Sequence, residues 1–286
     1  MEKIRIALVQ ARAAAAPAEN RRRAIASVRA AARKGARIVC LQELFATPYF
    51  CRTEDRRWFA SAETIPGPST EVFCAAAREN GVVLIVPIFE KRSRGLYHNS
   101  AAVIDSDGKL LGTYRKMHIP DDPGYYEKYY FAPGDTGFRT FKTRAGRIGV
   151  LICWDQWFPE AARLSTLGGA DILFYPSAIG APAREPKRSI ETMRNAWRTS
   201  QIAHGIANGV FVASLNRAGR EGKTVFWGSS FVSSPDGRVI ASAGIAEKIL
   251  YADCDLGLIA KTREEWPFLR DRRIDAYRDI TKRFLA

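Results

Sequence analysis

The chain has 286 residues, 47% of them hydrophobic, and its 44 lysines and arginines against 30 acidic residues give a formal net charge of +14. No stretch approaches the ~18 to 20 consecutive apolar residues that a membrane span requires, and the opening Met-Glu-Lys-Ile-Arg-Ile runs straight into a strand pattern, so a soluble, cytoplasmic protein with no membrane partner is expected. The five cysteines (Cys40, Cys51, Cys74, Cys153 and Cys254) are odd in number and contain no Cys-x-x-Cys pair, which argues against a disulfide framework and a zinc site.

So basic a chain raises nucleic-acid binding as a function class, because clustered Lys and Arg neutralise phosphates. The distribution points elsewhere. The 32 arginines and 12 lysines are spread along the whole sequence. The densest stretch, Arg21 to Arg37, falls on a helix whose Ile25, Val28 and Ala32 form the inner stripe, leaving the arginines on the solvated face. No nucleic-acid partner is expected.

Val- and Ile-rich runs at 4–9, 37–41, 82–89, 98–104, 148–152, 171–175 and 210–215 alternate with helical patterns near 17–34, 68–80, 157–168 and 186–207, which predicts an α/β protein. Gly35 and Gly81 close the first two helices, and Pro68 and Ser69 open the second. Asp-Ser-Asp-Gly (105–108) and Ser-Pro-Asp-Gly (234–237) read as turns between strand pairs, each ending in a glycine that can take a positive φ. Because both turns lie between apolar strands, the two halves look architecturally alike. No low-complexity linker divides the chain, so residues 1–286 are expected to form one domain. The segment 257–286 carries Trp266, Phe268, Leu269, Tyr277 and Phe284 among many arginines, and this tail is expected to pack at a subunit interface of a homo-oligomer.

Three strand-like runs close on side chains that carry chemistry. Ile-Val-Cys-Leu-Gln delivers Glu43, Leu-Leu-Gly-Thr-Tyr-Arg delivers Lys116, and Arg-Ile-Gly-Val-Leu-Ile-Cys (147–153) ends on Cys153. Singly, each has an ordinary reading as a surface charge or a core thiol. In open α/β sheets, however, ligand sites gather beyond the carboxyl ends of strands, so the three could converge on one pocket. A cysteine nucleophile needs a base or a positive neighbour. Glu43 can supply the base, while the Lys116 ammonium and the backbone N–H of Trp154 can hold a tetrahedral oxyanion. Water would then hydrolyse the thioester, and no metal or organic cofactor is required. His98, His118 and His204 read as structural hydrogen-bonding residues; a Cys–His dyad of papain type is the alternative, though nothing in the sequence sets any of them beside Cys153, and no pair has metal-ligand spacing.

The segments Leu-Gln-Glu-Leu-Phe (41–45), Tyr-Arg-Lys-Met-His-Ile-Pro (114–120) and Ile-Cys-Trp-Asp-Gln-Trp-Phe-Pro-Glu-Ala-Ala-Arg (152–163) resemble the nitrilase superfamily of carbon–nitrogen hydrolases. The likeness extends from Ala-Leu-Val-Gln (7–10) to Gly-Ser-Ser-Phe-Val (228–232). It implies a four-layer αββα sandwich, with two mixed sheets flanked by helices and subunits pairing to extend the layers. It also assigns the base, oxyanion donor and nucleophile to Glu43, Lys116 and Cys153, with a second glutamate at Glu127. Tyr49, Asp122, Trp154, Ser177 and Ala178 are the expected oxyanion or substrate-binding residues.

Within that superfamily, residues 127–138 and 174–180 are most similar to N-carbamoylputrescine amidases, which implies cleavage of a ureido group to an amine, ammonia and carbon dioxide. The chain departs from that pattern at Ala181-Pro182-Ala183, where an acidic residue is usual, and Arg184, Lys187 and Arg188 follow. Asp122, Glu185 and Glu191 are the candidates to restore a negative charge. The alternatives are an amidase or carbamoylase acting on an N-carbamoyl amino acid, an ω-amide or a nitrile, and a basic nucleic-acid-binding or scaffold protein on an inactive hydrolase fold with an inert Cys153.

Overall fold

Every predicted apolar run becomes a strand in the computed structural model, which describes residues 3–285. The strands that build the two large sheets are β1 (Lys3–Gln10), β2 (Ile38–Leu41), β3 (Val83–Ser93), β4 (Leu96–Ile104), β5 (Leu110–Arg115), β6 (Thr140–Thr143), β7 (Gly146–Val150), β8 (Ile172–Ser177), β9 (Phe211–Asn216), β10 (Phe231–Ser233), β11 (Val239–Ser242) and β12 (Lys248–Asp255). The helices are α1 (Pro17–Arg33), α2 (Pro68–Asn80), α3 (Pro159–Leu167), α4 (Lys187–Asn208) and α5 (Gly257–Glu265).

One sheet has the order β12-β1-β2-β3-β4-β5 and the other β11-β10-β9-β8-β7-β6. In the first, Ile6 faces Ile38 and Ile38 faces Val83 in parallel register; in the second, Ile148 faces Ile172 and Ile172 faces Phe211. All other pairings within both sheets are antiparallel. Each sheet thus has three parallel strands, one antiparallel strand on one side and two on the other, so the two sheets share one spatial arrangement. The predicted turns join β4 to β5 and β10 to β11. Gly108 and Gly237 both sit at φ 85°, and their N–H groups donate to Asp105 and Ser234 carbonyls at 2.9 Å.

The alternation of apolar residues along the strands decides the layering. Ile4, Ile6, Leu8, Ile38, Cys40, Val83 and Ile85 turn inward to meet Ile148, Val150, Phe174 and Val212 of the opposite sheet. Their neighbours Ala7, Val9, Val39, Leu41 and Leu84 pack instead on Ala24, Val28 and Ala31 of α1 and Phe73 and Ala77 of α2. Burying one aliphatic side chain stabilises by about 1.5–3 kcal/mol, so a one-residue slip that exchanged the two faces would be prohibitive. On the far side, α3 joins the core through Ala161 and Ala162, and α4 packs along it. The result is the expected αββα sandwich.

One detail differs. The α1 stripe is centred on Ala24, Val28 and Ala31, with Ile25 and Ala32 only partly buried at its edge. Asn20 shares that face, its amide accepting from the Ala14 N–H at 2.7 Å and donating to Ala14 and Ala46 carbonyls at 2.8 and 3.0 Å. On the outer face, Arg21 pairs with Glu63 at 3.2 Å and Arg23 with Glu247 at 2.5 Å.

Beyond α5 the segment to Leu285 leaves Phe268, Ile274, Tyr277, Ile280, Phe284 and Leu285 exposed. Met1, Glu2 and Ala286, the outer ends of the predicted domain and tail, lie outside the described residues. Among those described, no helix is long and apolar enough to cross a membrane.

Candidate active site

Strand ends from both halves bring ionisable side chains to one buried point. Glu43 lies two residues beyond β2, Lys116 directly follows β5, and Glu127 opens a short 3-10 helix, Glu127–Tyr129. All three are fully buried. The Lys116 ammonium donates to Glu43 Oε1 at 2.9 Å and to Glu127 Oε2 at 2.7 Å. Asn99 Nδ2 also reaches Glu43 Oε1, at 2.8 Å, and Glu127 Oε2, at 3.5 Å. The Tyr49 hydroxyl donates to Glu127 Oε1 at 2.7 Å. These contacts leave one oxygen over: Glu43 Oε2 is buried with no hydrogen-bond partner.

Two carboxylates around one ammonium shape its titration. Burial opposes the charge on Lys116, but Glu127, Glu43 and Cys153 outweigh it and hold the pKa well above the usual lysine value. Burial raises the pKa of Glu127, against the pull of the adjacent Lys116.

Cys153 follows β7 by three residues and opens a 3-10 helix, Cys153–Trp157, with φ at 45°. An L side chain reaches this left-handed region only when its surroundings hold it there. Asp155 provides the hold. Its Oδ2 accepts from the Ile152 N–H at 2.9 Å and the Tyr114 hydroxyl at 2.7 Å, and its Oδ1 from the His118 N–H at 3.0 Å, with His118 Nδ1 at 2.7 Å. Gln156 adds a second anchor, accepting from Trp197 Nε1 at 2.7 Å and lying 2.8 Å through its carbonyl from His204 Nε2. Burial first, then the charge of Glu43, pushes the Cys153 thiol well above its ordinary pKa, while Lys116 and the backbone N–H of Ala178 pull the other way. Burial thus favours the protonated thiol at Cys153.

A pocket of about 370 Å³ opens onto Cys153, walled by Tyr125, Trp154, Trp157 and Trp227, with Asp122 the only charged lining residue among those described. The Tyr125 hydroxyl donates to the Gly180 carbonyl and accepts from the Gly180 N–H, both at 2.9 Å, which fixes one wall. Arg184 lines a separate, neighbouring pocket, and Lys187 and Arg188 start α4 on the exposed surface. The basic stretch after Ala183 thus stays out of the cysteine pocket, as do Glu185 and Glu191.

Two expected substrate contacts, Tyr49 and Ser177, lie outside this pocket. Tyr49 is 1% exposed and lies behind Glu127, with its N–H on Glu221 at 2.7 Å; the Ser177 hydroxyl is fully buried on Gln156 Oε1 at 3.2 Å. Their hydroxyls are committed to interior partners, so neither lines the pocket. Asp122 and Trp154 do, and Ala178 meets Cys153 through its backbone. The histidines bind Ala132, Asp155 and Gln156 rather than the thiol. Among the described residues no group of three or more His, Cys, Asp or Glu is placed to hold a metal ion.

Sequence reasoning missed Asn99, Asp155 and Arg217. Arg217 is fully buried and directly follows β9 as Lys116 follows β5, so the strand-end construction was its signal. Asp155 stands inside the Cys153 motif, whereas Asn99 lies within a strand and had no signal.

The carbon–nitrogen hydrolase family model matches residues 5–264. An N-carbamoylputrescine amidase of Solanum lycopersicum is 47% identical over 88% of this chain and 86% of its own. A citrullinase of Francisella tularensis is 38% identical over 99% of this chain and 100% of its own. A carbon–nitrogen hydrolase from Helicobacter pylori superposes with a TM-score of 0.96 at 44% identity, covering 99% of this chain and 100% of that one.

Proposed function

This chain belongs to the carbon–nitrogen hydrolase family, and we propose that it hydrolyses N-carbamoylputrescine to putrescine, ammonia and carbon dioxide. The observation that carries the substrate is the pocket beside Cys153, whose indole and phenol walls and single carboxylate, Asp122, suit an alkyl ammonium. An N-carbamoyl amino acid would set its own carboxylate against Asp122, with no cation in the lining to receive it. The likeness to amidases named for carbamoylputrescine supports the same choice.

In this reading Glu43 Oε2, the oxygen without a partner, takes the thiol proton as Cys153 Sγ attacks the ureido carbon. The ammonium of Lys116 has three donors, two of them on Glu43 and Glu127. The third, with the Trp154 backbone N–H, serves the oxyanion. Glu43 returns the proton to the departing ammonia, leaving an S-carbamoyl thioester. It then deprotonates a water that attacks the thioester carbon and passes that proton to the departing Cys153 sulfur, releasing a carbamic acid that decarboxylates to the free amine. Glu127 positions Lys116.

Residues 1–286 act as one domain in this proposal, and the apolar tail after Trp266 packs against a second copy. Five unpaired cysteines suit a reducing compartment, and we place the enzyme in the cytoplasm.

The test is ammonia release from N-carbamoylputrescine, N-carbamoyl-β-alanine and citrulline by the wild type, Cys153→Ala and Asp122→Asn. Release from carbamoylputrescine that vanishes with Cys153→Ala, and whose KM rises about tenfold at steady kcat with Asp122→Asn, is expected. Turnover of the acidic substrates alone would reject the assignment.

A further inference from the structure

Next to the cysteine pocket lies a wider one of about 1010 Å³, whose wall includes Arg52, Arg184, Arg220 and Lys223 and no acidic residue. These cations come from three separate segments and converge without compensation. Among the described residues none of the four has a carboxylate partner: Arg52 donates to the Tyr49 carbonyl at 3.0 Å and to that of Glu221, and Arg220 to the Gly222 carbonyl at 2.9 Å. The nearby Glu221 carboxylate is already taken by Arg217 at 2.7 Å. Elsewhere exposed arginines such as Arg5, Arg57 and Arg144 have their own carboxylates at 2.7–2.8 Å. Four like charges facing one concavity repel each other and focus a positive potential into it.

We propose that this pocket is a binding site for a small polyphosphate-bearing anion. Guanidinium forks recognise phosphate oxygens in pairs, and a ligand of several negative charges is what neutralises four cations at once. The ligand is separate from the substrate. Tyr125 and Gly180 wall both pockets, and the paired hydrogen bonds between them brace the wall they share.

A kinetic consequence follows, and it rests on the substrate's far end being an ammonium. Four uncompensated cations beyond a shared wall disfavour a cationic substrate, so an anion that neutralises them favours it. Its occupancy lowers KM about fivefold and leaves kcat unchanged.

The probe is inorganic tripolyphosphate, titrated by calorimetry at low salt into the wild type, into Arg184→Gln/Arg220→Gln/Lys223→Gln, and into Arg22→Gln/Arg94→Gln/Lys142→Gln. The last set removes three exposed cations elsewhere and equalises net charge. One-to-one binding that weakens at least about tenfold only in the pocket variant is expected. Absence of binding to the wild type, or equal weakening in both variants, would overturn the site. The isotherm needs no turnover, so failure of the substrate assignment leaves this result readable. If tripolyphosphate binds but KM for carbamoylputrescine stays fixed, the coupling is wrong.

Discussion

The guanidinium of Arg217 donates to the main-chain carbonyl of Glu43 at 2.9 Å, tying the loop after β2 in one sheet to the end of β9 in the other. The same group holds the carbonyls of Leu44 at 2.8 Å and Thr47 at 3.1 Å and the carboxylate of Glu221 at 2.7 Å. Leu44 sits at φ 48°, so this loop keeps a conformation an L residue seldom adopts alone. Arg217→Met removes a donor from three carbonyls and from the Glu221 carboxylate, which keeps the Tyr49 N–H. Breaking a buried pair in this way costs about 3–5 kcal/mol, and urea unfolding should show a loss of that size together with reduced kcat. Arg217→Lys keeps the charge without the fork and should fall between. A Met variant within about 1 kcal/mol of wild type would mean the loop holds itself.

Glu43→Gln removes the base and preserves volume. Its amide can still face Lys116 and Asn99, so the fold should survive, while kcat/KM falls about 10²–10⁴-fold, the usual worth of a general base. Circular dichroism and steady-state assays read the two quantities separately. Undiminished turnover would exclude Glu43 as the proton acceptor.

How far the sequence reached depends on how locally each feature is encoded. β1, β2, β3, β4, β7, β8 and β9 are dense in Val and Ile because they are covered on one or both faces, and their runs were legible. β12 was not singled out. Its alternating Tyr251, Asp253 and Asp255, with Lys248 at the strand start, dilute the apolar signal, as expected for a strand at a sheet edge with one face toward solvent. Glu43, Lys116 and Cys153 stood out because each closes such a run. Asn99, which touches both Glu43 and Glu127, is an amide inside an apolar strand, and only the tertiary fold reveals its partners. Arg217 had the strand-end position but looked like any of many arginines. For Tyr49 and Ser177, position along the chain does not tell that the hydroxyls turn to interior partners, Glu127 and Gln156, rather than to the pocket.

Alkaline pH should destabilise the protein through its buried thiols. Burial pushes the Cys254 thiol from 9.0 up to about 12, and the Cys40 and Cys51 thiols well above their usual value. A raised pKa means the folded state retains a proton that the unfolded chain releases near pH 9. The stabilisation is therefore complete below pH 9 and is lost as pH rises toward 12, at about 1.4 kcal/mol per pH unit for each such thiol. Cys254→Ala lowers stability at every pH by leaving a small void, so the slope is the readout. Urea midpoints between pH 8.5 and 10.5 should fall less steeply in the variant than in the wild type, and parallel curves would show that Cys254 does not titrate in this way.

The C-terminal segment bears directly on assembly. Ile274 is 72% exposed, Ile280 66% and Phe284 81%, while α5 before them anchors through buried Ile259. So many large apolar side chains along one short segment are unfavourable in water and suit a covered surface. Covering each recovers about 1.5–3 kcal/mol, less the cost of association. Full-length protein should therefore scatter light with the mass of a dimer or larger assembly at micromolar concentration. Truncation after Trp266 removes the segment but spares the sandwich, so its mass should drop while its circular dichroism is retained. A full-length monomer would show that these side chains stay in water, and an unchanged assembly after truncation would place the interface elsewhere.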